Sequence, residues 1–254
     1  MSAKKPTIVV VPGAWSTPSH YRKLVEALQA RSFEVKVPSL ATNNGARPPN
    51  SSFQDDVAAV RAVIEPIVEQ GNEIVMVMHS YGGAVGTDAT EGLSRKEREA
   101  HHLPGGVVHL VYLCAYLLAK GQSVWNVVEK SGMEQDVTPH LTIHEDGVWT
   151  LNDPVWAMYH DLSPEDQEEQ KALVVPHNLK CIYEGPSYEC WRNSPLTYVR
   201  TTEDRCVPPP YQEICVANAK DAGVPIDIKV MHCAHSPYAK CPEEIVDIVV
   251  GITG

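Results

Sequence analysis

Apolar residues along the chain follow two alternating patterns. Thr7 to Val11, Phe33 to Val37, Glu73 to Met78, Val107 to Cys114, Leu196 to Thr202 and Ile226 to Met231 are short runs rich in Val and Ile. They predict buried β-strands, because a strand covered on both faces needs no polar alternation. Between them apolar side chains recur at helical spacing: Tyr21, Leu24, Val25 and Leu28 within His20 to Ala30, and Phe53, Val57, Val60, Ile64 and Ile67 within Phe53 to Val68. Strand followed by helix, repeated, implies right-handed crossovers. The expected fold class is therefore α/β, a doubly wound, mainly parallel six-stranded sheet.

The alternation stops between about Lys120 and Pro195, where no strand-length β-branched run occurs. This stretch holds four of the chain's 5 Trp residues, Trp125, Trp149, Trp156 and Trp191, which a disordered tether would not carry. It is expected to be a helical cap inserted into a core formed by residues 1–119 and 196–254. Ser163-Pro164-Glu165-Asp166 has the N-cap, proline and acidic first turn of a helix running to about Leu173, and the acidic run Glu165 to Glu169 is expected to be its solvated face.

Composition narrows the function. The 21 Lys and Arg against 32 Asp and Glu give a net charge of -11, which repels nucleic acid and anionic membranes and leaves an uncharged small molecule as the expected partner. The 7 Cys residues contain no C-x-x-C pair, so neither a disulfide framework nor a sequence-local zinc cage is expected, and no cofactor is implied. Met1 to Pro12 imitates a secretion signal, with Lys4 and Lys5 before Ile8 to Val11, but Pro12-Gly13 ends the apolar run too early. The longest apolar stretch, Val107 to Ala119, is interrupted by His109 and falls short of the roughly 18 residues that cross a bilayer. A cytoplasmic monomer or homodimer is expected.

The candidate chemistry lies at the third strand, which runs through Met78-His79-Ser80-Tyr81-Gly82-Gly83 into small residues, Ala84 to Ala89. A sharp turn from strand to helix lifts the serine hydroxyl off the sheet edge and places it beside a helix N-terminus. The elbow pattern is G-x-S-x-G, and Met78 stands where its first glycine belongs. Candidate partners follow later strands, an acid in Thr202-Glu203-Asp204-Arg205 and a base in His232-Cys233-Ala234-His235-Ser236-Pro237. Glu203 competes with Asp204, and His232 with His235. Cys206 and Cys233 border these loops without a spaced ligand set, so both are expected to be small buried residues. His79 is expected to point away from Ser80 and to serve as a structural hydrogen-bonding residue.

Together with Val11-Pro12-Gly13-Ala14-Trp15, these ordered motifs resemble the α/β-hydrolase superfamily, in particular its compact branch of plant methylesterases, hydroxynitrile lyases and their fungal and bacterial homologues. The resemblance implies Ser80 as nucleophile, His235 as base, Asp204 as the acid that orients it, and the backbone N–H groups of Ala14 and Tyr81 as an oxyanion hole. Pro12 replaces the histidine usual in the first motif, which main-chain donors tolerate.

The expected function is hydrolysis of a small, rather apolar carboxylic ester or lactone. Trp15, Trp125, Trp156 and Tyr159 are expected to line its pocket, against the plainer alternative that the inserted aromatics form only a small core of their own. The competing readings are acyl transfer, lactone formation or lyase chemistry on the same site, as in secondary metabolism, and ligand binding without turnover. Cyanohydrin-cleaving relatives carry lysine where this chain has Ser236, which disfavours a lyase.

Overall fold

The structure, a computed structural model, describes residues 5–254. Met1 to Lys4, the start of the signal-like stretch, lie outside the described residues. Strands β1 (Thr7–Val11), β2 (Val35–Lys36), β3 (Glu73–His79) and β4 (Gly106–Leu113) precede the aromatic-rich segment. That segment contributes β5 (Leu141–Ile143), β6 (Val148–Leu151) and β7 (His177–Asn178), and β8 (Leu196–Thr201) and β9 (Asp227–Met231) follow it. The central sheet has the order β2-β1-β3-β4-β8-β9 and is parallel throughout. Val77 pairs with Val10 on one side and Val111 on the other, so the residues with the highest β propensity share the buried centre.

Helices cover the sheet: α1 (Arg22–Ala30), α2 (Phe53–Glu69), α3 (Gly82–Ala89) and α4 (Arg95–Ala100) before the segment, and α8 (Pro209–Asp221), α9 (Pro237–Lys240) and α10 (Pro242–Thr253) after it. In α2, Ser52 caps the first turn by accepting from the Asp55 N–H, and Phe53, Val57, Val60 and Ile64 bury one stripe. Chain order reverses between β1 and β3. Open parallel sheets place their clefts at such a point, beyond the carboxyl ends of the strands.

Two expected strands differ from their sequence patterns. The Phe33 to Val37 run forms only the two residues of β2, and β9 is an edge strand whose Val230 is 53% exposed. Residues 120–195 carry α5 (Val124–Ser131), α6 (Glu134–Val137) and α7 (Pro164–Ala172), the last capped by Ser163 as its sequence predicts. They also form an antiparallel sheet, β5-β6-β7, that the expectation of a purely helical insertion did not include. Its strands of 2–4 residues are too short to register as hydrophobic periodicity and are held by pairing, with Trp149 opposite both Ile143 and His177. Helix α7 meets α1 through the half-exposed pairs Lys23–Asp166 (2.6 Å) and Arg22–Glu169 (2.8 Å), which add little stability individually.

Candidate active site

Ser80 follows β3 directly and turns the chain into α3 with φ 54°, a left-handed value that destabilises a residue bearing a Cβ by about 1–2 kcal/mol. The neighbouring backbone holds it there. Its N–H donates to the Leu113 carbonyl (3.3 Å), and its own carbonyl accepts from the N–H groups of Gly83 (3.0 Å) and Tyr116 (3.1 Å). A side chain at Gly82 would overlap the carbonyl oxygens of Val11 and Pro12, so glycine lets α3 begin hard against the end of β1.

Met78 leaves the elbow intact because the space for it comes from the helix. Its side chain is fully buried, and a Cβ at Gly86 would overlap its sulfur. The glycine absent before the serine is thus matched by one in the second turn of α3. Gly86→Ala should destabilise the protein by about 1–3 kcal/mol, as overpacking does, and by clearly less in a Met78→Ala background. Additive losses in urea unfolding of the two single variants and the double variant would show that the two positions are not in contact.

The loop after β9 brings His235, not His232, to Ser80. His235 Nε2 lies 3.0 Å from Ser80 Oγ, and its Nδ1 lies 2.8 Å from Asp204 Oδ2. A carboxylate only accepts, so Nδ1 carries the proton and Nε2 is left to accept from the serine hydroxyl. All three side chains are buried, whereas His232 and Glu203 are exposed. Asp204 also accepts from Thr201 Oγ1 (2.9 Å) and from the N–H groups of Cys206 (2.9 Å) and Val207 (2.7 Å). Burial disfavours the His235 imidazolium, but the adjacent Asp204 carboxylate, with smaller contributions from Cys206 and Cys114, outweighs that penalty and holds the pKa well above the ordinary histidine value.

Several supporting groups escaped the sequence pattern. Gln212, fully buried on α8, donates to the carbonyls of Thr201 (3.0 Å) and Val207 (2.7 Å), fixing both ends of the acid loop. Asp161 accepts from the Ala234 N–H (2.9 Å), just before His235. Tyr21 OH accepts from the Gly13 N–H (2.9 Å) and donates to His79 Nδ1 (2.8 Å), so His79 Nε2 carries the proton and donates to the His235 carbonyl (2.9 Å). Burial, reinforced by His235, pushes His79 well below the ordinary histidine value and keeps it in this neutral form. One chain of bonds therefore ties the loop after β1 to the loop carrying His235. His79 has the structural placement expected from its position, but Tyr21, its partner 58 residues away, has no local sequence signature.

His79, Cys114 and His235 place ligand-type atoms within 4.8 Å of one another. Both nitrogens of each imidazole already have protein partners, and burial raises the Cys114 thiol to about 11, so the trio does not have the free donors of a metal site. The seven cysteines are unpaired, with Cys233 buried and Cys206 partly so.

Above Ser80 lies a cavity that opens to solvent and is lined mainly by apolar side chains. Ala14 and Tyr81 border it, and among the described residues neither backbone N–H meets a protein acceptor. Trp15, Trp125 and Trp156 line it, joined by Trp149 and Tyr116. Tyr159 does not. It is fully buried behind the wall beside Tyr21 and Tyr238, because the turn at Val155–Tyr159 directs Trp156 outward and Tyr159 into the core. Trp191 is likewise a core residue, donating to the Leu118 carbonyl (2.9 Å). The inserted aromatics therefore divide between a wall and a small core.

Residues 8–248 match the alpha/beta hydrolase family. Among curated relatives, the alpha/beta hydrolase nvfD of Aspergillus novofumigatus is 29% identical, the similarity covering 98% of this chain and 97% of that one. The pyrethroid hydrolase of Sphingobium wenxiniae is 23% identical over 95% of this chain and 85% of its own. The crystal structure of a polyneuridine aldehyde esterase mutant superposes with a TM-score of 0.78 at 17% identity, over 99% of this chain and 100% of that one. The parallel sheet, the strained serine after β3 and the match over nearly the whole length agree, and the chain belongs to the alpha/beta hydrolase family.

Proposed function

We propose that the protein is a serine hydrolase of a small, largely apolar carboxylic ester or lactone, with Ser80 as nucleophile, His235 as base and Asp204 as the group that orients it. The observation that carries this reading is the unbroken Ser80–His235–Asp204 hydrogen-bond chain opening on an aromatic cavity. The names of two relatives, a pyrethroid hydrolase and an aldehyde esterase, point the same way.

A serine hydroxyl is a weak nucleophile. His235 Nε2 accepts its proton as Oγ attacks the ester carbonyl, and the negative charge that develops on the carbonyl oxygen is met by the Ala14 and Tyr81 N–H groups, each worth roughly 3–4 kcal/mol of transition-state stabilisation in comparable sites. Imidazolium then returns the proton to the leaving alkoxide, and water, activated by the same nitrogen, releases the acid. Residues 1–119 and 196–254 supply the machinery in this reading, and residues 120–195 serve as the cap that selects the substrate. Seven unpaired cysteines support a reducing, cytoplasmic setting.

A fluorophosphonate should label the protein at one site, Ser80, as read by peptide mass spectrometry. Failure to label the folded protein would remove the nucleophile assignment and favour a binding role. The aromatic enclosure also supports a second outcome of the same acyl-enzyme, attack by a hydroxyl of the substrate itself to close a lactone. Product analysis with a hydroxy ester separates it from hydrolysis.

A further inference from the structure

An N–H donor is aimed by the peptide group that carries it. In a trans peptide the C=O of one residue and the N–H of the next lie in one plane and point in opposite directions, so whatever holds the carbonyl directs the N–H. The Tyr81 N–H shares its peptide with the Ser80 carbonyl, which the main-chain N–H groups of Gly83 (3.0 Å) and Tyr116 (3.1 Å) hold from behind. The Ala14 N–H shares its peptide with the Gly13 carbonyl, and there the holding group is a side chain, Asn43 Nδ2, at 2.9 Å. The same amide nitrogen also donates to the Ser16 carbonyl (2.7 Å), so Asn43 clasps both ends of the loop from Gly13 to Ser16.

That loop runs through Trp15 at φ 58°, a left-handed value that a residue bearing a Cβ keeps only where its surroundings impose it. Its other carbonyls are taken, Ala14 by Ser16 Oγ (3.2 Å) and Trp15 by the Val175 N–H (3.1 Å), whereas the Ala14 N–H meets no protein acceptor among the described residues. Asn43 is buried and its own Oδ1 has no partner. An unsatisfied buried amide oxygen is destabilising, so this side chain is retained for what its nitrogen holds. The adjacent residue serves the other half of the site: Thr42 gives its N–H (2.9 Å) and its Oγ1 proton (2.7 Å) to Asp56, which also accepts from the Tyr81 hydroxyl (2.9 Å). The short turn Ala41–Asn43 after β2 thus grips both donor residues.

We infer that Asn43 is a positioning residue of the oxyanion hole: by holding the Gly13 carbonyl it aims the Ala14 N–H at the oxygen that becomes negative when Ser80 attacks. The inference rests on the serine-hydrolase reading and adds to it a residue that does not line the cavity. The bond to the Gly13 carbonyl also polarises the peptide, which strengthens its N–H as a donor. Without Asn43 the Gly13–Ala14 peptide is free to rotate, Trp15 relaxes from its left-handed φ, and the N–H leaves its line. The loss falls on the transition state, because a neutral ester carbonyl draws much less from that donor than an oxyanion does.

The test compares a transition-state analogue with a neutral counterpart of the same shape. With an aryl trifluoromethyl ketone, Ser80 Oγ bonds to the carbonyl carbon, the C=O electron pair moves onto oxygen and His235 takes the serine proton, giving a hemiketal oxyanion. The alcohol made by reducing that ketone has no carbonyl to attack. Inhibition constants for both, with kcat and KM for an aryl ester, would be measured on the natural protein, Asn43→Ala and Asn43→Leu. The leucine variant keeps the branched shape and removes the unpartnered oxygen along with the donors, so it folds even where alanine does not. Rates are referred to the fluorophosphonate-reactive fraction, which leaves misfolded protein out. Each variant should lose about 10- to 100-fold in kcat with KM within about twofold, the ketone should weaken by the same factor, and the alcohol should bind unchanged. An unchanged kcat, or equal weakening of ketone and alcohol as general damage would produce, would overturn the assignment of Asn43 while the serine-hydrolase reading stood. A natural protein that fails to react with fluorophosphonate, or that binds the ketone no better than the alcohol, would remove that reading and this inference together.

Discussion

Ser80→Ala should lower kcat for short aryl esters by about 10^6-fold, to the residual level that an oxyanion hole and a binding cavity give without a nucleophile. The expectation follows from how little else changes. The Ser80 backbone is held by Leu113, Gly83 and Tyr116, so alanine keeps the turn, and the Ala14 and Tyr81 donors stay where they are. A nearly unchanged KM with kcat lost is therefore the expected signature, because the hydroxyl contributes to the transition state and not to ground-state binding. The strain at φ 54° adds a second reading from the same position. Ser80→Gly, equally inactive, should be more stable than Ser80→Ala by about 1 kcal/mol in urea unfolding, since glycine adopts a left-handed φ without the Cβ clash. Substantial hydrolysis by the alanine variant would refute the mechanism. Equal stability of the two variants would refute the claim that the elbow is strained.

How much of this was legible beforehand depends on where each interaction is encoded. The central strands announce themselves because β1, β3 and β4 are largely buried on both faces, so that burial and local β propensity agree at most positions. β9 is an edge strand, and β2 is cut to two residues, since a hydrophobic run does not report which strands have a second neighbour. The β5-β6-β7 sheet was illegible for a different reason: its information lies in pairings such as Trp149 with His177, 28 residues apart.

The same division runs through the site. Ser80, Asp204 and His235 each close a strand and carry a motif, so order along the chain suffices to propose them. The competition between His232 and His235, or Glu203 and Asp204, is settled by which side chain the loop buries, and that is a tertiary fact. Tyr21, Gln212 and Asp161 have ordinary local contexts and matter because of what folding brings opposite them. Tyr159 and Trp149 show the limit for pocket walls. Both are aromatic and both lie in the insertion, and only their local placement, Trp149 on β6 and Tyr159 at the end of the Val155–Tyr159 turn, decides that the second faces the cavity and the first does not.

Asp204→Asn should lower kcat by about 10^4-fold, and its pH profile should show why. Asparagine fills the same space, and its carbonyl oxygen can still accept from Cys206 and Val207. Its amide then faces His235 Nδ1 and donates where the carboxylate accepted. The imidazole is driven to the opposite tautomer, with the proton on Nε2, and Ser80 faces a donor that cannot take its proton. The protonation equilibrium moves as well. In the natural protein burial lowers the His235 pKa, and Asp204, with smaller contributions from Cys206 and Cys114, more than reverses this, so the folded value lies well above 6.5. Activity requires the neutral base and is lost as pH falls through that raised value, which places the acidic limb of kcat/KM above the pH at which an unperturbed histidine titrates. Without the carboxylate the main opposition to burial is gone, so the limb of the residual activity must shift to lower pH. A variant that merely loosened the loop would lower kcat without moving the limb. An unshifted limb alongside the loss would therefore assign Asp204 to holding the loop through its Cys206 and Val207 contacts, and a shifted one assigns it to the electrostatics of His235.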